Sequence, residues 1–207
     1  KIVERSVESL VHHMHTASKI GAAGVIFHCG SHKGVGLEAI LGQASDAMKE
    51  VLDLTPPEVW LIIENSAGAG GHIGSSPRDI RRLIDAVSSD RIKICLDTQH
   101  AVAANYNMVE KRGLALTMKE FDDEIGLDKL VVVHANDSKV PIGSGLDRHE
   151  NIGEGYIGTE GFETIMTHPA FLNVPFVLEV PGPDKKGPDK GNLDRLKEIR
   201  SRLGIPV

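Results

Sequence analysis

The sequence has little of several things that mark particular classes of protein. Only two of its 207 residues are cysteines, too few for a disulfide framework, which favours a reducing compartment and a cytoplasmic location. Aromatic residues make up 4%, which disfavours a stacking platform for single-stranded nucleic acid. No apolar run approaches the roughly 20 residues of a membrane span, so no membrane partner is expected. Hydrophobic and charged residues stand at 41% and 25%, which excludes a disordered chain, a coiled coil and a collagen-like fibre.

The chain also has no excess of positively charged residues. The chain has 29 acidic and 23 basic residues and a formal net charge of −6. The overall field of such a protein repels phosphate, so a nucleic-acid partner would have to be bound by local basic groups or by metal ions.

Short apolar runs alternate with stretches of helical period along the chain. Continuous apolar strands that alternate with helices indicate a parallel sheet covered by helices, the α/β class. We find no linker, so residues 1–207 are predicted to form a single domain. Ser76 is predicted to cap one helix and Thr159 another. The predicted strands lie at residues 25–27, 59–63, 92–96, 130–133 and 175–178.

A potential metal ligand follows every predicted strand. The carboxyl ends of the strands carry the active site both in α/β barrels and in open parallel sheets. One polar residue after a strand is ordinary and is usually a hydrogen-bonded structural group. A purely structural explanation of such residues after five successive strands, however, would require five independent coincidences. The five residues are His28, Glu64, Asp97, His134 and Glu179.

Three further candidates lie close to these positions. His100 follows Asp97 by three residues, and Asp147 and His149 lie two apart in the segment 135–158, which has no apolar period. A structureless stretch of that length inside a domain is usually functional. Imidazole nitrogen with carboxylate oxygen suits zinc, manganese or iron better than calcium or magnesium. Eight ligands exceed what one tetrahedral ion uses, which favours two or three ions that share carboxylates.

The remaining histidines are interpreted more simply. Those at positions 12, 13 and 15 lie on the first predicted helix and are expected to face solvent. His72 lies in a glycine-rich run that lacks a dinucleotide-binding pattern. For His32, a supporting role beside the metal ligands and a purely structural role both remain open.

Six motifs make the chain resemble the endonuclease IV family, from about Lys1 to the last helix. The order and spacing of the motifs match together, which makes the resemblance specific. It implies a zinc-dependent apurinic/apyrimidinic endonuclease of DNA base-excision repair, built on a TIM barrel. The motifs are FHCGSH at 27–32, IENSAG at 63–68, CLDTQH at 95–100, HANDSK at 134–139, DRH at 147–149 and GEGYIG at 153–158.

The resemblance also implies roles for the eight candidate ligands. Glu64 would bridge two zinc ions, and His28 would bind the first of them. The second ion would be held by Asp97, His134 and Glu179, and a third by His100, Asp147 and His149. A hydroxide bridging the metals would attack the phosphate 5′ to an abasic site in double-stranded DNA. Up to three zinc ions are expected, with manganese or iron as alternatives.

The chain departs from the family pattern at its beginning. Five predicted βα units stand against the eight of a closed TIM barrel, and the first three units and one further histidine ligand have no counterpart. The chain begins with Lys1 rather than Met, so we expect the natural protein to be longer.

Two other functions fit some of these sequence features. A metal-dependent sugar isomerase or epimerase on a related barrel would use Glu64, Asp97, His134 and Glu179, but it would not need the third set of ligands. A truncated domain that binds metal without turnover would fit the absent units.

Overall fold

The fold is built on one parallel sheet, and the computed structural model describes residues 1–205. The five strands of the sheet follow the order of the chain, and every neighbouring pair is parallel. This is the sheet of a TIM-barrel-type fold that covers about five of the eight βα units, as the sequence predicts. Its strands are β1 (Gly24–Phe27), β2 (Trp60–Glu64), β3 (Ile92–Asp97), β4 (Leu130–His134) and, after the ribbon of β5 (Asp137–Ser138) and β6 (His149–Glu150), β7 (Phe176–Val177).

Helices follow or precede each strand and cover one face of this sheet. The first helix is terminated by Gly21, the residue after its last turn, whose φ of 71° is the left-handed conformation that glycine adopts readily. The helices are α1 (Ile2–Ile20), α2 (Leu37–Asp53), α3 (Pro77–Val87), α4 (Thr98–Ala103), α5 (Lys111–Glu124), α6 (Gly158–Thr167) and α7 (Lys190–Arg202). None of the helices formed by residues 1–205 has the length and apolar character that crossing a bilayer requires.

Of the two predicted helix caps, one is confirmed and one is wrong. The Ser76 hydroxyl accepts the backbone N–H of Asp79 at 3.2 Å and begins α3. Thr159 instead lies inside α6, which begins at Gly158 without a cap from the side chain before it. The amides of Ile157 and Gly158 donate to the distant carboxylate of Asp137, so a local hydroxyl cap is not needed.

The two faces of the sheet differ because successive residues of a strand point to opposite sides. Leu61 and Ile63 of β2 join the large core between the sheet and the helices. Ile62 of β2, Cys95 of β3 and Val132 of β4 form a second, smaller apolar cluster. By the same alternation, the last residues of these three strands point to the side of the smaller cluster.

Three local features differ from the sequence prediction. The last strand shrinks from the predicted 175–178 to Phe176–Val177. The short helix α4 follows β3 directly and was not predicted. The segment 135–158 contains the two-stranded antiparallel ribbon of β5 and β6. The prediction of one domain over 1–207 stays a prediction, and its final two residues lie outside the described part of the chain.

Candidate metal centre

Sheet register brings three of the predicted ligands together, and a fourth follows the last strand. Glu64, Asp97 and His134 are the final residues of β2, β3 and β4, and Glu179 lies two residues beyond β7. In the parallel pairing, Asp97 is opposite His134, and Glu64 is opposite Cys95. Ligand atoms of these four residues lie within 4.8 Å of one another. We call Glu64, Asp97, His134 and Glu179 the strand-end group.

His134 connects the carboxylates of this group. Its Nδ1 lies 3.0 Å from Oε1 of Glu64 and 3.0 Å from Oε2 of Glu179. Asp97 is the most deeply buried, at 0% exposure, and its Oδ2 lies 3.9 Å from the same nitrogen. Three carboxylates around one imidazole leave a surplus of negative charge that needs a cation.

The two oxygens of Glu64 face different neighbours. Oε2 lies 3.4 Å from Nε2 of His28, whereas Oε1 faces His134 and lies 3.3 Å from Nδ1 of His100. His28, Glu64 and His100 form a second group of ligand atoms within 4.8 Å. A carboxylate with one oxygen in each direction is suited to be shared between two cations.

Asp147 and His149 reach the cluster from the long segment after β4, and we call them the loop-borne pair. Oδ1 of Asp147 lies 3.3 Å from Nε2 of His100 and 3.4 Å from Nε2 of His149. Nε2 of His149 is also 3.8 Å from Oδ2 of Asp97. All eight residues predicted as ligands therefore lie in one connected cluster.

Two histidine nitrogens show that the cluster suits a metal ion. Nδ1 of His100 lies 3.0 Å from the carbonyl oxygen of Asn65, and Nδ1 of His149 lies 3.3 Å from that of Glu179. A carbonyl only accepts, so each ring donates from Nδ1, and this orients Nε2 as the ligand atom. Both Nε2 atoms are buried and have no hydrogen-bond partner among the described residues. A metal ion would satisfy them.

The charges of the cluster shift the pKa values of its members. Burial alone would raise the pKa of Glu64, but the nearby His100 ring and the hydrogen bond with His134 outweigh it and lower the pKa to about 2. Burial opposes protonation of His100, but the charge of Asp97 and the contacts with Asp147 and Glu64 raise its pKa to about 11. Without a metal ion, protons thus supply the positive charge that the carboxylates attract, and metal binding would displace them.

Two buried asparagines hold the ligands in place, and the sequence analysis did not single them out. Asn136 donates from Nδ2 to Oδ2 of Asp97 at 2.6 Å and accepts the backbone N–H of Glu179 at 2.8 Å. Asn65 accepts the N–H of Asp97 at 2.7 Å and donates to its carbonyl at 3.2 Å. The available signal was their position, one residue after Glu64 and two after His134.

The other histidines are mostly structural. Nδ1 of His32 accepts the backbone N–H groups of Gly34 and Gly36 at 3.1 and 3.3 Å, so it shapes the loop after β1. The histidines at positions 12, 13 and 15 lie exposed on α1. His72 lines a small cavity beside the cluster together with Ser66.

Comparison with known proteins agrees with the fold. The family model described as xylose isomerase-like TIM barrel matches residues 1–201. That match and the ligand cluster define the class as a TIM-barrel protein with a candidate metal centre at the carboxyl ends of its strands.

Individual relatives narrow the class. A probable endonuclease 4 of Methanoculleus marisnigri is 37% identical over 201 residues, which cover 96% of this chain and 71% of the relative. The crystal structure of endonuclease IV from Thermus thermophilus superposes with a TM-score of 0.80 at 29% identity, over 97% of this chain and 69% of that chain. The chain belongs to the endonuclease IV family.

A D-tagatose 3-epimerase-like protein shares the fold alone. Its structure superposes with a TM-score of 0.72 at 19% identity, and the match covers 98% of this chain and 70% of that chain.

Proposed function

We propose that this chain is a zinc-dependent endonuclease that cleaves the phosphodiester bond 5′ to abasic sites in double-stranded DNA. The observation that carries the proposal is the junction of the loop-borne pair with the strand-end group through His100, in a member of the endonuclease IV family. The clustered nitrogen and carboxylate donors suit zinc, with manganese or iron as alternatives.

The eight residues would hold up to three ions in overlapping sets. The strand-end group would hold one ion. Glu64 would be shared with a second ion that also binds His28. His100 and the loop-borne pair would hold a third. When bound, the ions would supply an activated water near neutral pH and positive charge at the phosphate.

Glu64 is the side chain we propose as catalytic. Its carboxylate lies between the His28 side and the His134 side of the cluster, and its low pKa keeps it ionised at neutral pH. An ionised carboxylate at this point can accept a hydrogen bond from the attacking water and orient it toward the phosphate. Asn65 and Asn136 restrain the neighbouring Asp97, which maintains the spacing that the reaction needs.

The distribution of charge is consistent with DNA bound locally rather than by the whole surface. The chain carries a formal net charge of −6, so attraction to a phosphate backbone must come from the metal centre and nearby basic groups.

The alternative function is sugar isomerisation or epimerisation. The strand-end group forms a complete four-ligand set by itself, and an epimerase-like protein shares the fold. His100 and the loop-borne pair favour endonuclease activity, because a single-metal isomerase site has no need of them.

Incision of a DNA duplex that contains one tetrahydrofuran abasic analogue tests the proposal. We expect incision on its 5′ side, loss of activity with EDTA, recovery with zinc, and a loss of more than about 100-fold in Glu64→Gln. Glu58→Gln is the matched control, since Glu58 is exposed and contacts Ser18 far from the cluster.

Ketose–aldose exchange without incision would replace the proposal by the isomerase function. Metal binding with neither activity would instead favour a metal-binding domain without turnover.

A further inference from the structure

Asp137 is a buried carboxylate that belongs to no ligand set. The residue has 0% exposure, and its side chain accepts five backbone N–H groups, which is unusual for a single carboxylate. Oδ1 accepts from Ser138 at 2.7 Å and from Ile157 at 2.9 Å. Oδ2 accepts from Gly153 at 2.9 Å and Gly155 at 3.0 Å, and Gly158 donates to both oxygens.

These donors close the long segment that carries the loop-borne pair. Asp137 lies near the start of this segment, just after β4, and Gly158 begins α6 at its end, so one side chain ties the two ends together. Gly155 passes so close that a Cβ atom there would collide with the carbonyl oxygen of Ser138 and lie 2.5 Å from Oδ1 of Asp137. The backbone is thus built around this carboxylate.

The same closure sets the position of His149. In the ribbon, Asp137 pairs with Glu150, and Ser138 pairs with His149. The amide of Lys139 donates to the carbonyl of Arg148 at 2.9 Å. Because side chains alternate along a strand, a slip of one residue would turn His149 away from the cluster.

The middle of the segment is held against α4. Gln99, the neighbour of His100, donates to the carbonyl of Leu146 at 3.0 Å. The amide of Gly145 donates to the carbonyl of Ala103 at 2.9 Å. Asp147 follows directly, so its approach to His100 is guided from the helix that carries His100.

We propose that Asp137 is a positioning residue that orders the segment 139–157 before metal binds, so that the loop-borne pair meets His100. The inference rests on the proposed metal centre and deepens it. Ordering a segment of this length costs conformational entropy, and contacts already present in the metal-free protein remove that cost from metal binding. Asp137 therefore acts on the third ion and leaves the strand-end group unaffected.

Asp137→Asn tests this with little change of shape. The new amide N–H₂ would face the N–H groups of Gly153 and Gly155 or of Ser138 and Ile157. Two donors cannot form a hydrogen bond with each other, so the contact between the two ends of the segment would be lost. Zinc titration followed by elemental analysis should show one equivalent bound about 10- to 100-fold more weakly, with the remaining equivalents unchanged.

Asp122→Asn is the matched control for this variant. Asp122 also accepts a backbone N–H, that of Leu127, but it does so before β4 begins and therefore at the amino ends of the strands. All zinc equivalents should keep their affinity in this control.

Uniform weakening of all equivalents, or no change, in a folded Asp137→Asn variant would overturn the proposal. If the variant does not fold, hydrogen exchange of the metal-free wild-type protein provides a second test. The amides of Gly153, Gly155, Ile157 and Gly158 should be protected before zinc is added, and free exchange there would contradict the inference. Both readouts are independent of DNA incision, so a failure of the endonuclease proposal would be recognised separately.

Discussion

The strand-end group and the loop-borne pair bring the same kinds of side chain to one centre by different means. Glu64, Asp97 and His134 are at most 4% exposed and are placed by the register of neighbouring parallel strands. Asp147 has a side chain that is 56% exposed, and its position depends on the long segment between β4 and α6. Pairing within the main sheet brings the first set together, and buried asparagines restrain it. The second set depends on the β5–β6 ribbon and on the side chain of Asp137, which ties the ends of its segment together.

The largest expected difference is in metal content. His134→Ala removes the imidazole that contacts both Glu64 and Glu179, so we expect loss of most bound zinc and of incision. His149→Ala should remove only about one equivalent, because the strand-end group does not depend on it. Elemental analysis of the purified variants gives the number of zinc ions bound per chain, and His13→Ala on α1 is the control. Equal losses in the two variants would break the comparison.

A smaller effect is expected from the asparagine that supports the strand-end group. Asn136→Ala leaves a buried oxygen of Asp97 and the amide of Glu179 without their partner. Zinc affinity at the strand-end group should fall about 10- to 100-fold, and the free energy of unfolding by about 1–3 kcal/mol. Zinc titration and urea unfolding measure the two effects against Asn173→Ala, an exposed control. Unchanged affinity would show that sheet register alone places Asp97.

The smallest expected effect is in the acid stability of the metal-free protein. The pKa of Glu64 is lowered from 4.5 to about 2 in the fold, so its stabilisation is fully present above pH 4.5 and is lost as the pH falls toward 2. Glu64→Gln should cost on the order of 2 kcal/mol at pH 6 and progressively less toward pH 3. Contact with His100 also lowers the pKa of Asp147, but solvent screens that side chain. The free energy of unfolding of Asp147→Asn should therefore depend less on pH than that of Glu64→Gln. Chemical unfolding of both variants across this pH range measures the difference.

Much of the strand-end group could be predicted from the sequence. A ligand after each apolar run is enough to place Glu64, Asp97 and His134 at one edge, because parallel strands in chain order align their carboxyl ends. The α/β class and the Ser76 cap were predicted for the same local reasons.

The supporting contacts could not be predicted in the same way. Four of the five N–H groups that Asp137 accepts come from residues 16 to 21 positions away, and Asn136 reaches Asp97 across 39 positions. Neither pairing leaves a periodic trace in the sequence. The Thr159 cap failed because Asp137 takes the amide of Gly158 from outside the helix. Such contacts depend on which distant residues the fold brings together, and local conformational preferences do not specify that.

The sequence by itself determined the order of the five main strands and of the longer helices, and the identities of eight candidate ligands, because apolar period and residue type are local properties. It also carried the motifs by which the endonuclease IV family is recognised. Only the tertiary structure decided that Glu64 faces His28 with one oxygen and His134 with the other, and that the loop-borne pair meets His100. The physical reason is that a shared metal centre depends on distances of a few ångströms between residues far apart in the chain. Those distances are set by register, burial and buried polar contacts acting together.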